Sequence, residues 1–83
     1  MGVLTVTSEE AFGIVLRQHR LRLSLSQEEL AIRSNVDRTF ISHIERGKHQ
    51  PTITTIFKLA QQLNLTPSQM IREAEDLLAK ATK

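Results

Sequence analysis

The chain has no cysteine, no tryptophan and no tyrosine, and phenylalanine occurs only three times. Without cysteine it can form neither a disulfide nor a thiolate metal site, and a reducing, cytoplasmic setting is expected. So few aromatic rings leave little to stack on unpaired bases, which weighs against single-stranded RNA as a ligand. Three glycines and two prolines are too few for a flexible linker or a Gly-rich phosphate loop. Neither a nucleophile elbow nor a His-Glu-x-x-His motif occurs, and His19, His43 and His49 lack ligand spacing. An enzyme, a metal site, a cofactor and a small-molecule pocket are therefore not expected. No apolar run approaches the ~20 residues of a membrane span. The opening MGVLTVTSEE has neither the basic region nor the apolar run of a secretory signal. Val6 stands where myristoylation wants Ser or Thr, and Asn64-Leu65-Thr66 reads as a chance sequon.

What remains is a single domain over residues 1–83 with a formal charge of +2. A domain this small folds with little stability to spare, and a partner subunit is a common remedy. The charge is too small to argue for a nucleic-acid ligand by itself, but its placement is uneven. Acidic residues collect at Glu9/Glu10, Glu28/Glu29 and Glu73 to Asp76, whereas Arg33, Arg38, Arg46 and Lys48 gather near the middle. Such a dipolar surface can steer DNA to one face; an ordinary solvated mixture of charges is the competing reading.

The pattern predicts five helices and no strands, an all-α fold. Thr7 with Glu10 forms a capping box, and Phe12, Leu16 and His19 then recur at helical spacing to about Arg22. Ser26 with Glu29 forms a second box ahead of Leu30 and Ala31. Asn35 closes that helix, because asparagine tolerates a left-handed conformation. Asp37 caps the third helix, Ile41 and Ile44 anchor it, and Gly47 stops it. Thr52 caps a fourth, with Ile53, Ile56, Leu59/Ala60 and Leu63 as its inward stripe. Thr66 and Pro67 open a fifth, to about Ala81.

Residues 27–47, QEELAIRSNVDRTFISHIERG, carry the functional signal. A helix-turn-helix needs a small residue where its helices cross, a turn residue accepting positive φ, and apolar anchors under the second helix. Ala31, Asn35, Val36, Ile41 and Ile44 supply these in order, with a generic αα-hairpin as the alternative. The outer face of the second helix shows Arg38, Thr39 and His43, short polar and basic groups suited to a DNA groove. Arg38 can take guanine O6 and N7 together, or else hold a phosphate. Thr39 can reach a base edge or merely help cap the helix; His43, one turn on, can reach a base or phosphate or have no role. Phe40 either touches sugar and thymine methyls or is half-buried against the fourth helix, and Ser42 can donate to a phosphate. Gln27 opens the preceding helix, where amides and dipole favour a phosphate. Arg46, Lys48, His49, Gln50 and Thr52 surround the following loop, where backbone contacts would position the domain or the loop would simply be solvated. On the fifth helix, Met70, Ile71, Ala74, Leu77, Leu78 and Ala81 form a stripe longer than one small core covers. It is expected to pair with a second copy, core packing being the alternative.

The segments LSQEELA, SNVDRTFISHIERGK and PTITTIFKLAQQL, starting at Leu25, Ser34 and Pro51, also resemble the phage-repressor (Cro-type, XRE) helix-turn-helix family. The likeness runs from about Phe12 to Ile71. VDRTFISHIERG is similar in particular to the controller proteins of restriction–modification systems. The resemblance implies a compact, five-helix, lambda-repressor-like domain dimerising through residues 67–81. It implies an ion pair between Arg20 and Glu45, a backbone clamp at Gln27, and a regulator that activates and represses its own promoter. The sequence departs from the family at Leu21 and Ser24, where basic residues and glycine are usual.

The leading expectation is a homodimeric, cytoplasmic transcriptional regulator on double-stranded DNA, with half-sites of a pseudo-palindrome about one turn (~34 Å) apart. Glu28 is a candidate contact for RNA polymerase, against the plainer reading of a helix-start glutamate. A substitution Glu28→Lys that keeps DNA binding but abolishes activation would decide between them. The rival class is an antitoxin or other partner-dependent regulator, which predicts a co-purifying partner and DNA binding that depends on it.

Overall fold

A computed structural model describes residues 6–81. It contains five helices: α1 (Ser8–Arg22), α2 (Gln27–Ser34), α3 (Arg38–Glu45), α4 (Ile53–Gln62) and α5 (Pro67–Ala81). Among the described residues there is no strand. The reading of residues 1–5 and the side chain of Ala81 lie outside the described residues.

The helix starts follow their local chemistry. Thr7 accepts from the Glu10 amide at 3.0 Å while Glu10 accepts from the Thr7 amide at 2.9 Å, closing the first capping box. Ser26 and Glu29 repeat it at 2.9 and 2.8 Å. The Ser26 amide holds the Glu29 carboxyl below its usual value. That contribution is present at neutral pH and lost as pH falls through the lowered value. Asp37 accepts from Thr39 N at 2.8 Å, and Thr52 from Thr55 N at 3.1 Å. Thr66 and Gln69 form a third reciprocal cap, at the start of the fifth helix.

Four helix ends share one device. A residue in the left-handed region follows the helix, at Ser24, Asn35, Gly47 and Asn64, with φ between +56° and +71°. The next amide then turns back onto the last turn: Leu25 to Arg20, Val36 to Ala31, Lys48 to His43 and Leu65 to Ala60. This satisfies carbonyls that the helix itself leaves open. In three of the four the returning residue is apolar and docks on the core; in the fourth it is the exposed Lys48. Ser24 thus turns without the usual glycine, at a strain of ~1 kcal/mol.

Val15, Leu16, Leu30, Ile41, Ile44, Leu59 and Met70 are fully buried and come from all five helices. Each is worth roughly 1.5–3 kcal/mol of burial. Two expectations are corrected here. Ile53 does not join the inward stripe of α4 but is 71% exposed, as is the neighbouring-turn Phe57 at 59%. The stripe begins at Ile56, because the N-terminal turn of α4 lies at the rim of the bundle. Met70 and Ala74, expected at a dimer interface, are 0% and 7% exposed and belong to the protomer's own core.

α1 and α3 touch backbone to backbone at Gly13. A Cβ there would lie 2.8 Å from the Glu45 carbonyl oxygen and also collide with that of Ile44. Both are backbone atoms, which cannot move aside as the tip of a flexible side chain would. Gly13→Ala is expected to cost about 3 kcal/mol despite alanine's better helix propensity, as overpacking of a rigid contact does. Urea denaturation would check this; an unchanged midpoint would mean the two helices separate freely.

Candidate DNA interface

The second helix of the proposed motif is held in place from behind. Arg20, on α1, donates from Nε to Glu45 Oε2 at 2.6 Å and from a terminal nitrogen to Glu45 Oε1 at 2.9 Å. Its other terminal nitrogen donates to the Leu25 carbonyl at 2.8 Å. Gln27, at the start of α2, donates to Glu45 Oε1 at 3.0 Å. One carboxylate at the end of α3 therefore collects α1, the turn after it, and α2. Both charged side chains are almost wholly buried. The two-point bond to Glu45, which outweighs burial, holds the guanidinium above its ordinary value.

The left-handed Asn35, with φ 56° and ψ 42°, turns the chain sharply between α2 and α3. Ser34 donates to the Leu30 carbonyl at 2.6 Å, so the buried hydroxyl is satisfied within its own helix. Ile41 and Ile44 are fully buried, and this leaves Arg38 and Thr39 exposed and His43 half-exposed on the opposite side. Gly47, at φ +71°, presses against Glu10 of α1, whose Cγ a side chain there would meet at 2.6 Å. The chain after α3 is thus fixed to the body of the domain.

The expected site residues fall into four groups. Gln27 and Arg38 line one shallow polar concavity with Arg20, Ser26 and Glu28. Phe40, His43 and His49 form a cluster of rings, with His49 centred 5.5 Å from Phe40 and 5.0 Å from His43. Arg46 donates from Nε to the Ser42 carbonyl at 3.4 Å, lying back along its own helix, and Lys48 is exposed beside it. Gln50 and Thr52 instead border an apolar groove with Phe12, Pro51, Ile53, Ile56 and Ile71. The Thr52 hydroxyl is engaged with Thr55 as a helix cap. Phe40 is half-buried and packs on the core.

Three features escaped the sequence reading. The Gln27–Glu45 bond spans 18 residues and has no local signature. His19, 8% exposed, meets Glu73 of α5 at 2.7 Å, a bond across 54 residues. The outward pair Ile53 and Phe57 was legible in principle, since both lie four apart, off the Ile56–Leu63 stripe. Among the described residues no group of three or more His, Asp or Glu could hold a metal ion, and no helix is long and apolar enough to cross a membrane.

A buried ion pair behind an exposed polar helix, following a two-helix unit with a left-handed turn, defines a helix-turn-helix DNA-binding regulator. The chain belongs to the helix-turn-helix family, whose model matches residues 16–70. Among curated relatives it is 39% identical to the control protein C.BamHI of Bacillus amyloliquefaciens over 61 residues, 72% of this chain and 75% of that one. Among solved structures it matches the restriction-modification controller protein C.AhdI from Aeromonas hydrophila with a TM-score of 0.73 and 37% identity. That match covers 75% of this chain and 94% of the other. The clp gene regulator ClgR from Corynebacterium glutamicum gives a TM-score of 0.85 at 25% identity, over 92% of this chain and 81% of that one. The protein is a DNA-binding transcriptional regulator of this family.

Glu45→Ala is expected to strand the Arg20 guanidinium and release Gln27, costing about 3 kcal/mol. For a domain this size the thermal midpoint should fall by on the order of 15 °C. Calorimetry would check it, and a shift of only a few degrees would show that the pair is not structural.

Proposed function

We propose that this chain is a homodimeric controller of the restriction–modification type, which binds a pseudo-palindromic operator at its own promoter and both activates and represses there. The controller relatives support that reading, but the observation that carries it is the rigid presentation of Arg38, Thr39 and His43. They stand on an exposed helix face anchored by Ile41, Ile44 and the Arg20–Glu45 pair.

Each residue then has a role. Arg38, Thr39 and His43 read base edges in the major groove. Gln27, at the start of α2, holds a phosphate; its side-chain bond to Glu45 fixes the amide for that purpose. Phe40, Ser42, Arg46 and Lys48 sit along the DNA backbone and set register without reading sequence. Glu28, exposed next to Gln27, is offered to RNA polymerase during activation.

The dimer surface shifts from the expected one. Met70 and Ala74 are consumed by the protomer's core, and Leu77 and Leu78 are half-buried against it. The large apolar side chains left outward at this end are Ile53, Phe57 and Ile71, at 71%, 59% and 49% exposure. Ile53 and Ile71 share one groove. A second copy paired there, with α5 contributing Ile71 and the exposed edges of Leu77 and Leu78, would remove them from water.

Fluorescence anisotropy against DNA from upstream of the chain's own gene, with scrambled competitor at two salt concentrations, tests the reading as a whole. Binding that survives competitor and weakens with salt is expected; equally weak binding to both DNAs would favour a partner-dependent, antitoxin-like role. Within that assay Arg38→Ala is expected to cost about 1–3 kcal/mol and relax preference at one position per half-site, whereas Lys48→Ala weakens every sequence alike and flattens the salt slope. A uniform loss from Arg38→Ala would reassign it to the backbone. Phe57→Glu, at an exposed position that folding does not need, is expected to halve the sedimentation mass and leave half-site binding intact; an unchanged mass would take α4 out of the interface.

A further inference from the structure

Among the described residues, three rings meet on the DNA-facing side of the domain, and they come from two different pieces of chain. Phe40 and His43 lie one turn apart on α3, and His49 belongs to the loop that follows. The His49 ring is centred 5.5 Å from Phe40 with the planes tilted by 54°, and 5.0 Å from His43 with a tilt of 38°. Both separations lie in the range where aromatic pairs attract. Phe40 is itself packed on the core, so the cluster has a fixed floor.

The backbone explains how residue 49 comes to lie over α3. Gly47 takes φ +71° and the Lys48 amide donates to the His43 carbonyl at 2.8 Å, folding the chain back along the helix it has just left. His49 follows directly. His49 is otherwise exposed, and its ring meets these two rings.

We propose that His49 is a positioning residue for sequence readout: wedged against Phe40, its ring holds the His43 imidazole in the orientation from which it meets a base. This rests on the reading of α3 as the DNA-reading helix and deepens it. A half-exposed histidine on a helix samples several rotamers, and a base contact made from one of them is weakened by the time spent in the others. A neighbouring ring that is already anchored removes that freedom before DNA arrives. The role differs from a phosphate contact by His49, which needs its N–H and not its shape.

His49→Ala and His49→Phe separate the two roles. Both would be measured by competition anisotropy on the promoter fragment that the wild type binds, on versions changed one base pair at a time, and on scrambled DNA. The His43 ring-proton shifts in the free protein would be recorded alongside. His49→Ala is expected to keep its melting temperature and its affinity for scrambled DNA. It should lose about fivefold in discrimination at one step per half-site, a part of what a single base contact supplies. That step should be the one His43→Ala abolishes. The ring-current shift of His43 should move with it, and His49→Phe should restore both. Full discrimination in His49→Ala would overturn the proposal, as would an equal loss on all sequences that His49→Phe fails to rescue. A wild type that does not distinguish the promoter fragment from scrambled DNA would overturn the underlying DNA reading together with it. The His43 shifts, measured without DNA, tell that failure from a failure of the ring cluster alone.

Discussion

The carboxylate of Glu45 is the point on which the rest of the domain depends. Its two oxygens receive Arg20 twice and Gln27 once, and the same arginine secures the Leu25 carbonyl. Replacing such a buried pair by well-packed apolar groups can be neutral, but removing one partner leaves a charge with no solvent and no counter-ion. Its value lies in geometry as much as energy. α3 is only eight residues long and would not hold a helical conformation alone in water. Tied by its last residue to α1 and α2, and from below by Ile41 and Ile44, it becomes a rigid bar with one face free.

Gly13 and Gly47 complete that attachment by subtraction. At Gly13 the missing side chain lets α1 reach the carbonyls at the end of α3, and at Gly47 it lets the outgoing chain lie on Glu10. Both contacts are made to α1, which also meets α5 through His19 and Glu73. α1 is therefore the spine that connects α3 to α5.

How much of this was legible in the sequence follows from the range of each interaction. Helix starts were read correctly because a capping box is complete within four residues, as Thr7/Glu10 and Ser26/Glu29 are. Asn35 and Gly47 announced their turns because few other residues accept positive φ cheaply; Ser24, which adopts it anyway, did not. The Arg20–Glu45 pair came from family likeness, since 25 residues separate its members and no local pattern marks them. Periodicity found the inward side of α4 from Ile56 to Leu63 but began it a turn early, and did not tell how much of the α5 stripe the core itself takes up. Ile53 therefore went outward, and Met70 and Ala74 inward, against expectation. The ring cluster was out of reach, because it requires the loop after α3 to fold back and only the backbone shows that it does.

One of the four similar helix ends differs from the rest, and the difference bears on how the domain comes apart. Leu25, Val36 and Leu65 latch their turns with buried or half-buried side chains, whereas the turn after α3 presents Lys48 to water. An end without an apolar latch opens at the lowest free energy, and amide exchange begins at such places. The turn after α3 is held instead by the close approach of Gly47 to Glu10 of α1. Exchange at the Lys48 amide would therefore report how firmly α1 and the end of α3 hold together.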